Sequence, residues 1–136
     1  MIGPPAAAAL PDLLAALLDR KPEVRTAAAE ALGRIAAEPK KSVPALIEAL
    51  ADGRMAVRAA TARALGRFTP ASPEAIEALI PALNDDYLAV RVAAAEALGT
   101  LGAAAISATP ALEALSKDEF IEARFAAAAA LKNVEK

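Results

Sequence analysis

The chain has 136 residues, of which 57% are hydrophobic and only 3% aromatic, with no Trp, Cys or His and a net charge of −2 at pH 7. Without Cys there is no disulfide, thiol nucleophile or thiolate metal site, which suits a reducing, cytoplasmic setting; without His there is no imidazole base or ligand. The slightly negative balance argues against a dedicated nucleic-acid binder, which needs a basic surface. Charged residues or Pro interrupt every apolar stretch well short of about 18 residues, so no membrane span is expected, and no signal-like region follows Met1. Ala fills 41 positions. As the best helix former, and one that lets backbones approach closely, it points to an all-helical, tightly spaced structure of one domain.

One phrase organises the chain: VRTAAAEALG at 24–33 returns as VRAATARALG at 57–66, as VRVAAAEALG at 90–99, and eroded as ARFAAAAALK at 123–132, a period of 33. The first unit, about residues 3–35, opens with PPAAAALPDLLAALL, carrying Pro11 and Leu13. Its second helix sets Val24, Ala27, Ala28, Ala31, Leu32 and Ile35 on one broad stripe. The second unit, about 36–68, has Leu46, Ile47 and Leu50 at helical spacing, with Pro44 in the register of Pro11. In the third, about 69–101, Ser72-Pro73-Glu74 reads as a helix start, with Ser capping and Pro in the first turn. Glu77 stands there in the Pro register, with Pro81 four residues on. The fourth, about 102–134, has Pro110 and Leu112, then Lys132 where Gly33, Gly66 and Gly99 stood, and a polar end KNVEK. Each Pro removes a backbone donor, so each first helix starts near its Pro or kinks at it.

No helix of this length hides its stripe alone; stacked copies bury a continuous core. Each buried Leu, Ile or Val there contributes about 1.5–3 kcal/mol. Ile2-Gly3 lies in register with Leu101-Gly102, so the sequence reads as four units taken from, or patterned on, a longer array. Its N-terminal helix shows almost no polar outer face, and is expected to be exposed or covered.

The pattern Pro-x-Leu-apolar-x-x-Leu-x-Asp, then Val-Arg-x-Ala-Ala-x-x-Ala-Leu-Gly, resembles HEAT repeats. It is most similar to the bacterial HEAT-like type also seen in phycobilisome lyase subunits and engineered binder scaffolds. The resemblance spans essentially residues 1–136 and implies an all-α, right-handed α-solenoid of four stacked helix-turn-helix repeats, about eight helices. For function it is nearly silent, because such repeats serve scaffolds, adaptors and a few enzymes.

Two polar columns keep the period: Asp19, Asp52, Asp85 and Asp118, and Arg25, Arg58, Arg91 and Arg124. They read either as ligand-binding charges or as a structural ladder in which each Arg holds loop carbonyls and an Asp of its own or a neighbouring unit; the resemblance implies the ladder. Lys21, Arg54, Tyr87 and Phe120 occupy the place where such repeats put a capping Asp, and none is a good N-cap. If Asp86, or Asp19 and its equivalents, cap from a shifted position, these four are loop-edge residues. Otherwise they form a contact ridge running from basic to aromatic. On the face of the second helix opposite its core stripe, expected to line the inner surface, one column reads Thr26, Ala59, Val92, Phe125 and another Glu30, Arg63, Glu96, Ala129. The second suggests ion pairs between units; Val92 and Phe125, with Tyr87 and Phe120, suggest an apolar contact patch.

Catalytic constellations are missing. Asp85-Asp86 and Asp118-Glu119 lack the further ligands a metal needs, and no Gly-rich phosphate loop is present. The expectation is a non-catalytic scaffold or adaptor without cofactor, presenting a curved helical surface to a partner polypeptide. Residues 1–68 carry ten Lys/Arg and seven Asp/Glu (net +3) against five and ten (net −5) in residues 69–136. That polarity, with the apolar N-terminal end, favours head-to-tail self-association as the alternative. A chromophore or small-ligand lyase-type subunit enters only through the resemblance, and DNA binding ranks last.

Overall fold

In the computed structural model residues 6–136 are described, with side chains from residue 8; the Ile2-Gly3 register lies outside the described residues. Eight α-helices follow in order: α1 (Ala6–Ala16), α2 (Pro22–Ile35), α3 (Pro39–Ala49), α4 (Met55–Leu65), α5 (Pro73–Ala82), α6 (Leu88–Leu101), α7 (Thr109–Leu115) and α8 (Ile121–Val134). A 3₁₀ segment, Gly102–Ala108, joins α6 to α7, and the described residues contain no strand. The helices pair as α1/α2, α3/α4, α5/α6 and α7/α8, and the pairs stack chiefly through their second members, α2 on α4 on α6 on α8. This is an α-solenoid.

The Leu columns read from the sequence form its interior. The stripe expected for α2 is rotated: Ala28 and Leu32 are buried, Val24, Ala31 and Ile35 half-buried and Ala27 exposed, while Ala29 and Gly33 are buried as well, Gly33 against the next unit. Leu32, Leu65 and Leu98 are 1%, 0% and 0% exposed, and Leu46, Leu79 and Leu112 are fully buried. Repeat-related residues thus meet the same surroundings, as one shared aliphatic core requires.

Pro11, Pro44 and Pro81 lie inside α1, α3 and α5. All three are exposed, so the donor each lacks is missing on the watery side of the stack. Pro110 instead sits in the first turn of α7. Ser72 caps α5, its hydroxyl accepting from the Ala75 amide at 3.1 Å. The fourth unit departs from the others. Gly102 takes φ 67°, ψ −140°, a conformation open to Gly, and the first turns of the expected helix become 3₁₀, leaving only seven residues in α7. The run Leu88–Leu115 is long and apolar enough by composition to cross a membrane, but over half of its apolar 18-residue window is buried in the stack and the backbone leaves α-helical geometry at Gly102.

Gly33, Gly66 and Gly99 set the spacing of the second helices. A Cβ on Gly33 would lie 2.8 Å from the Cα of Ala64, and one on Gly66 2.8 Å from the Cα of Ala97. On Gly99 the distance to the Ala130 Cα is 3.1 Å. Gly66→Ala therefore forces α4 and α6 apart and destabilises by about 1–3 kcal/mol, with little helix propensity to offset it because Gly66 sits at the C-cap of α4. Gly99→Ala, with slightly more room, stays within about 1 kcal/mol of the parent because the two effects offset. Urea denaturation of the two variants checks this: equal losses would refute the close-contact explanation.

Candidate functional site

The periodic charges form a ladder between units. Arg25 donates through Nε and Nη2 to Asp52 at 2.7 and 3.1 Å, and Arg58 does the same to Asp85 at 2.8 and 3.0 Å. In the third rung Arg91 Nε comes within 2.9 Å of Asp118 but is badly aimed for hydrogen bonding, leaving one bond from Nη2 at 3.3 Å. In all four units Nη1 also donates to the carbonyl of the unit's own Asp: Arg25 to Asp19 at 2.8 Å, and Arg58, Arg91 and Arg124 to Asp52, Asp85 and Asp118 at 2.9 Å. The guanidiniums of Arg25, Arg58 and Arg91 thus tie the loop of their own unit to the carboxylate of the next, while Arg124 holds only its own loop.

The same carboxylates organise the helix starts. Oδ1 of Asp19, Asp52, Asp85 and Asp118 accepts from the amide two residues on, that of Lys21, Arg54, Tyr87 and Phe120, at 2.9–3.0 Å. Those four residues immediately precede α2, α4, α6 and α8, and none caps with its side chain. Tyr87 is 54% and Phe120 44% exposed. Their rings are partly engaged inside the fold: the Arg58 guanidinium lies 5.8 Å from the Tyr87 centroid and that of Arg91 6.0 Å from Phe120. Each aromatic of the ridge thereby covers the ladder Arg of the preceding unit.

Val92 and Phe125 occupy a different place. They line a groove of about 800 Å³ between α6 and α8, with Ala and Gly99 as its floor and Glu96, Thr100, Glu122 and Asn133 among its polar lining. Phe125 is 75% and the neighbouring Ile121 64% exposed, and neither Tyr87 nor Phe120 lines the groove. The equivalent groove between α2 and α4 is about 200 Å³ and charged, lined by Glu30, Arg34, Arg63 and Arg67. Between them Arg63 reaches Glu96 at 3.6 Å, both half-exposed, a pair of the kind that contributes about 0–1 kcal/mol. Sequence reasoning missed Ile121, Arg34 and Arg67. The signal was present in two more columns of the period, Pro22, Met55, Leu88, Ile121 and Arg34, Arg67, Thr100, Asn133. Among the described residues no three acidic side chains converge as metal ligands.

Partial burial disfavours ionisation of Asp52 and Asp85. The guanidiniums of Arg25 and Arg58, the amides of Arg54 and Tyr87, and the nearby positive charges outweigh it and hold both carboxyls below their ordinary value. Asp118 is lowered mainly by the Phe120 amide, against a burial cost, with help from Arg91. A double-mutant cycle on Arg58→Ala and Asp85→Ala should give a coupling of about 1–2 kcal/mol; the same cycle on the misaligned Arg91–Asp118 pair should give less. Equal couplings would show that rung geometry is immaterial.

Because these carboxyls titrate lower folded than unfolded, near pH 3.9 for Asp in the unfolded chain, the unfolded state binds more protons in acid. The ladder's stabilisation is therefore complete above the unfolded value and is lost as pH falls through the folded values. The urea midpoint should drop between about pH 4.5 and 2. In Asp52→Asn/Asp85→Asn/Asp118→Asn the drop should be shallower, from a lower plateau; an equally steep drop would assign acid sensitivity to other groups.

A sequence profile of HEAT repeats matches residues 2–55 and 43–132. No curated protein sequence shows significant similarity. Among solved structures, the chain is similar to an engineered protein (28% identity, TM-score 0.70), covering 95% of this chain and 63% of that one. It is similar also to a designed armadillo repeat protein in complex with the peptide (KR)4 (25% identity, TM-score 0.73; 94% and 65% covered). A third is the complex of CpcE and CpcF of phycocyanin lyase from a Nostoc species (28% identity, TM-score 0.72; 95% and 79% covered). The chain spans less than two thirds of the first two of these structures. With the profile running across nearly all of the four stacked helix pairs, this protein belongs to the HEAT repeat family.

Proposed function

We propose that the protein is a non-catalytic scaffold that holds a partner polypeptide along the face of its second helices, with the α6/α8 groove as the apolar anchor. The observation that carries this is the pairing of Phe125 and Ile121, 75% and 64% exposed, beside a groove of about 800 Å³ on a surface whose backbone the ladder fixes. Large apolar side chains flanking a preformed trough on a rigid scaffold are the usual material of a binding hot spot. Stacked repeats build extended surfaces for this purpose, and the similar designed armadillo repeat protein was solved in complex with a peptide.

The rival readings meet physical obstacles. Head-to-tail docking of a second copy, packed as α8 packs on α6, would press its helix against Lys132, which stands where Gly33, Gly66 and Gly99 admit their neighbours. A tetrapyrrole would find adequate volume in the groove, but its carboxylates would face Glu96 and Glu122 with no Lys, Arg or His in the lining.

Panning a random 12-residue peptide display library on the protein tests the proposal. Enriched peptides should bind Phe125→Glu at least about tenfold more weakly and keep most of their affinity for Tyr87→Ala/Phe120→Ala, with circular dichroism confirming that both variants fold. Peptides that bind Phe125→Glu as well as the parent would remove the groove as the anchor.

A further inference from the structure

The two grooves on the second-helix face differ in chemistry in a way that specifies the partner. The α2/α4 groove carries three Arg against one Glu. Among the described residues, Arg34 and Arg67 make no salt bridge, while Arg63 is shared with Glu96 of the next unit. Both free guanidiniums are exposed, and Arg67 lies over Gly33, its Cγ 3.6 Å from where a Cβ would be. Two units further on, the same column reads Thr100 and Asn133, and the groove is apolar with Glu96 and Glu122 among its lining residues.

Resting on the scaffold reading above, we infer that the partner is an extended polypeptide segment bearing Asp or Glu at one end and a large apolar side chain at the other. The apolar side chain packs against Phe125 and Val92, and the carboxylates meet Arg34 and Arg67. The spacing follows from the fold. Arg67 lies two helix spacings from Phe125, each roughly 8–10 Å, and about eight residues further along the helix direction, roughly 12 Å. The separation is therefore on the order of 20 Å, which an extended chain covers in about six residues. Charge complementarity fixes the order. A basic end would be repelled at α2/α4, and an acidic end at α6/α8 would be repelled by Glu122, Glu96 being paired with Arg63.

The test pans the same random 12-residue library on the parent, on Arg34→Glu/Arg67→Glu, and on the milder Arg34→Gln/Arg67→Gln, all verified as folded. The parent pool should be enriched at least about threefold over input in peptides with Asp or Glu roughly six residues from a Phe, Leu or Trp. The Gln variant should lose the acidic preference, and the Glu variant should favour Lys or Arg at that position. Affinity of the selected peptides should fall with added salt for the parent but not for the Gln variant. A parent pool that depends on Phe125 yet shows no acidic bias, or an acidic bias that survives in both Arg variants, overturns this inference and leaves the scaffold reading standing. No enrichment on any of the three proteins overturns both.

Discussion

Successive second helices are clamped at two points, and everything else in the structure depends on that clamp. Near the start of α2, α4 and α6 an Arg reaches into the next unit to hold an Asp, as in Arg25–Asp52 at 2.7 Å. Eight residues later, roughly 12 Å along the axis, a Gly receives the backbone of an Ala in the next helix, as in Gly33–Ala64. The polar contact is directional and part-buried, so it fixes rotation and register. The apolar one has no side chain to yield, so it fixes distance. A single contact would leave the helices free to pivot about it. Two contacts make each unit repeat the geometry of the last, and only then do Leu32, Leu65 and Leu98 fall into one continuous interior.

The clamp also uses up the most regular polar residues. Each ladder Arg between units divides its donors between a carbonyl of its own loop and a carboxylate of the next, and that carboxylate also accepts a backbone amide. Little capacity remains for a ligand. Strict periodicity in a solenoid of this kind therefore marks structure, and the columns that change along the stack mark what differs between units. Thr26, Ala59, Val92, Phe125 grows steadily more apolar, while Arg34, Arg67, Thr100, Asn133 loses its charge. These two opposed gradients share one face.

The period of 33 made the helix pairs and the buried Leu columns legible, because burial in a stack of identical units needs identical patterns. It left open whether Arg25 would take Asp19 or Asp52, since both are columns of the same repeat and only the packing of α2 on α4 decides. It also grouped Tyr87 and Phe120 with Val92 and Phe125. Proximity in sequence cannot separate a helix start, where a ring covers a neighbouring Arg, from a groove-facing position later on the same helix. Ser72 was readable as a cap because one side chain and one amide suffice for it. The 3₁₀ segment Gly102–Ala108 was not: GAAAISA is rich in helix formers, and the departure begins with the backbone of Gly102 at φ 67°. Local propensity there gives way to tertiary constraint.

The separation of apolar and basic grooves has a consequence for how such a surface discriminates. Exposed guanidiniums such as Arg34 and Arg67 add little affinity each, because water and salt compete for them. Apolar burial against Phe125 can supply more, but it reads neither charge nor chain direction. Set on the order of 20 Å apart, more than two Debye lengths of roughly 8 Å at physiological salt, the two act almost independently. For a segment of the proposed kind, the groove would decide whether it stays bound and the arginines which way round it lies. The designed armadillo repeat protein of similar fold was solved with a peptide of Lys and Arg. In this chain Arg34 and Arg67, which set the sign of the α2/α4 groove, lie outside the clamp, so that sign is free to change while the helix frame stays the same.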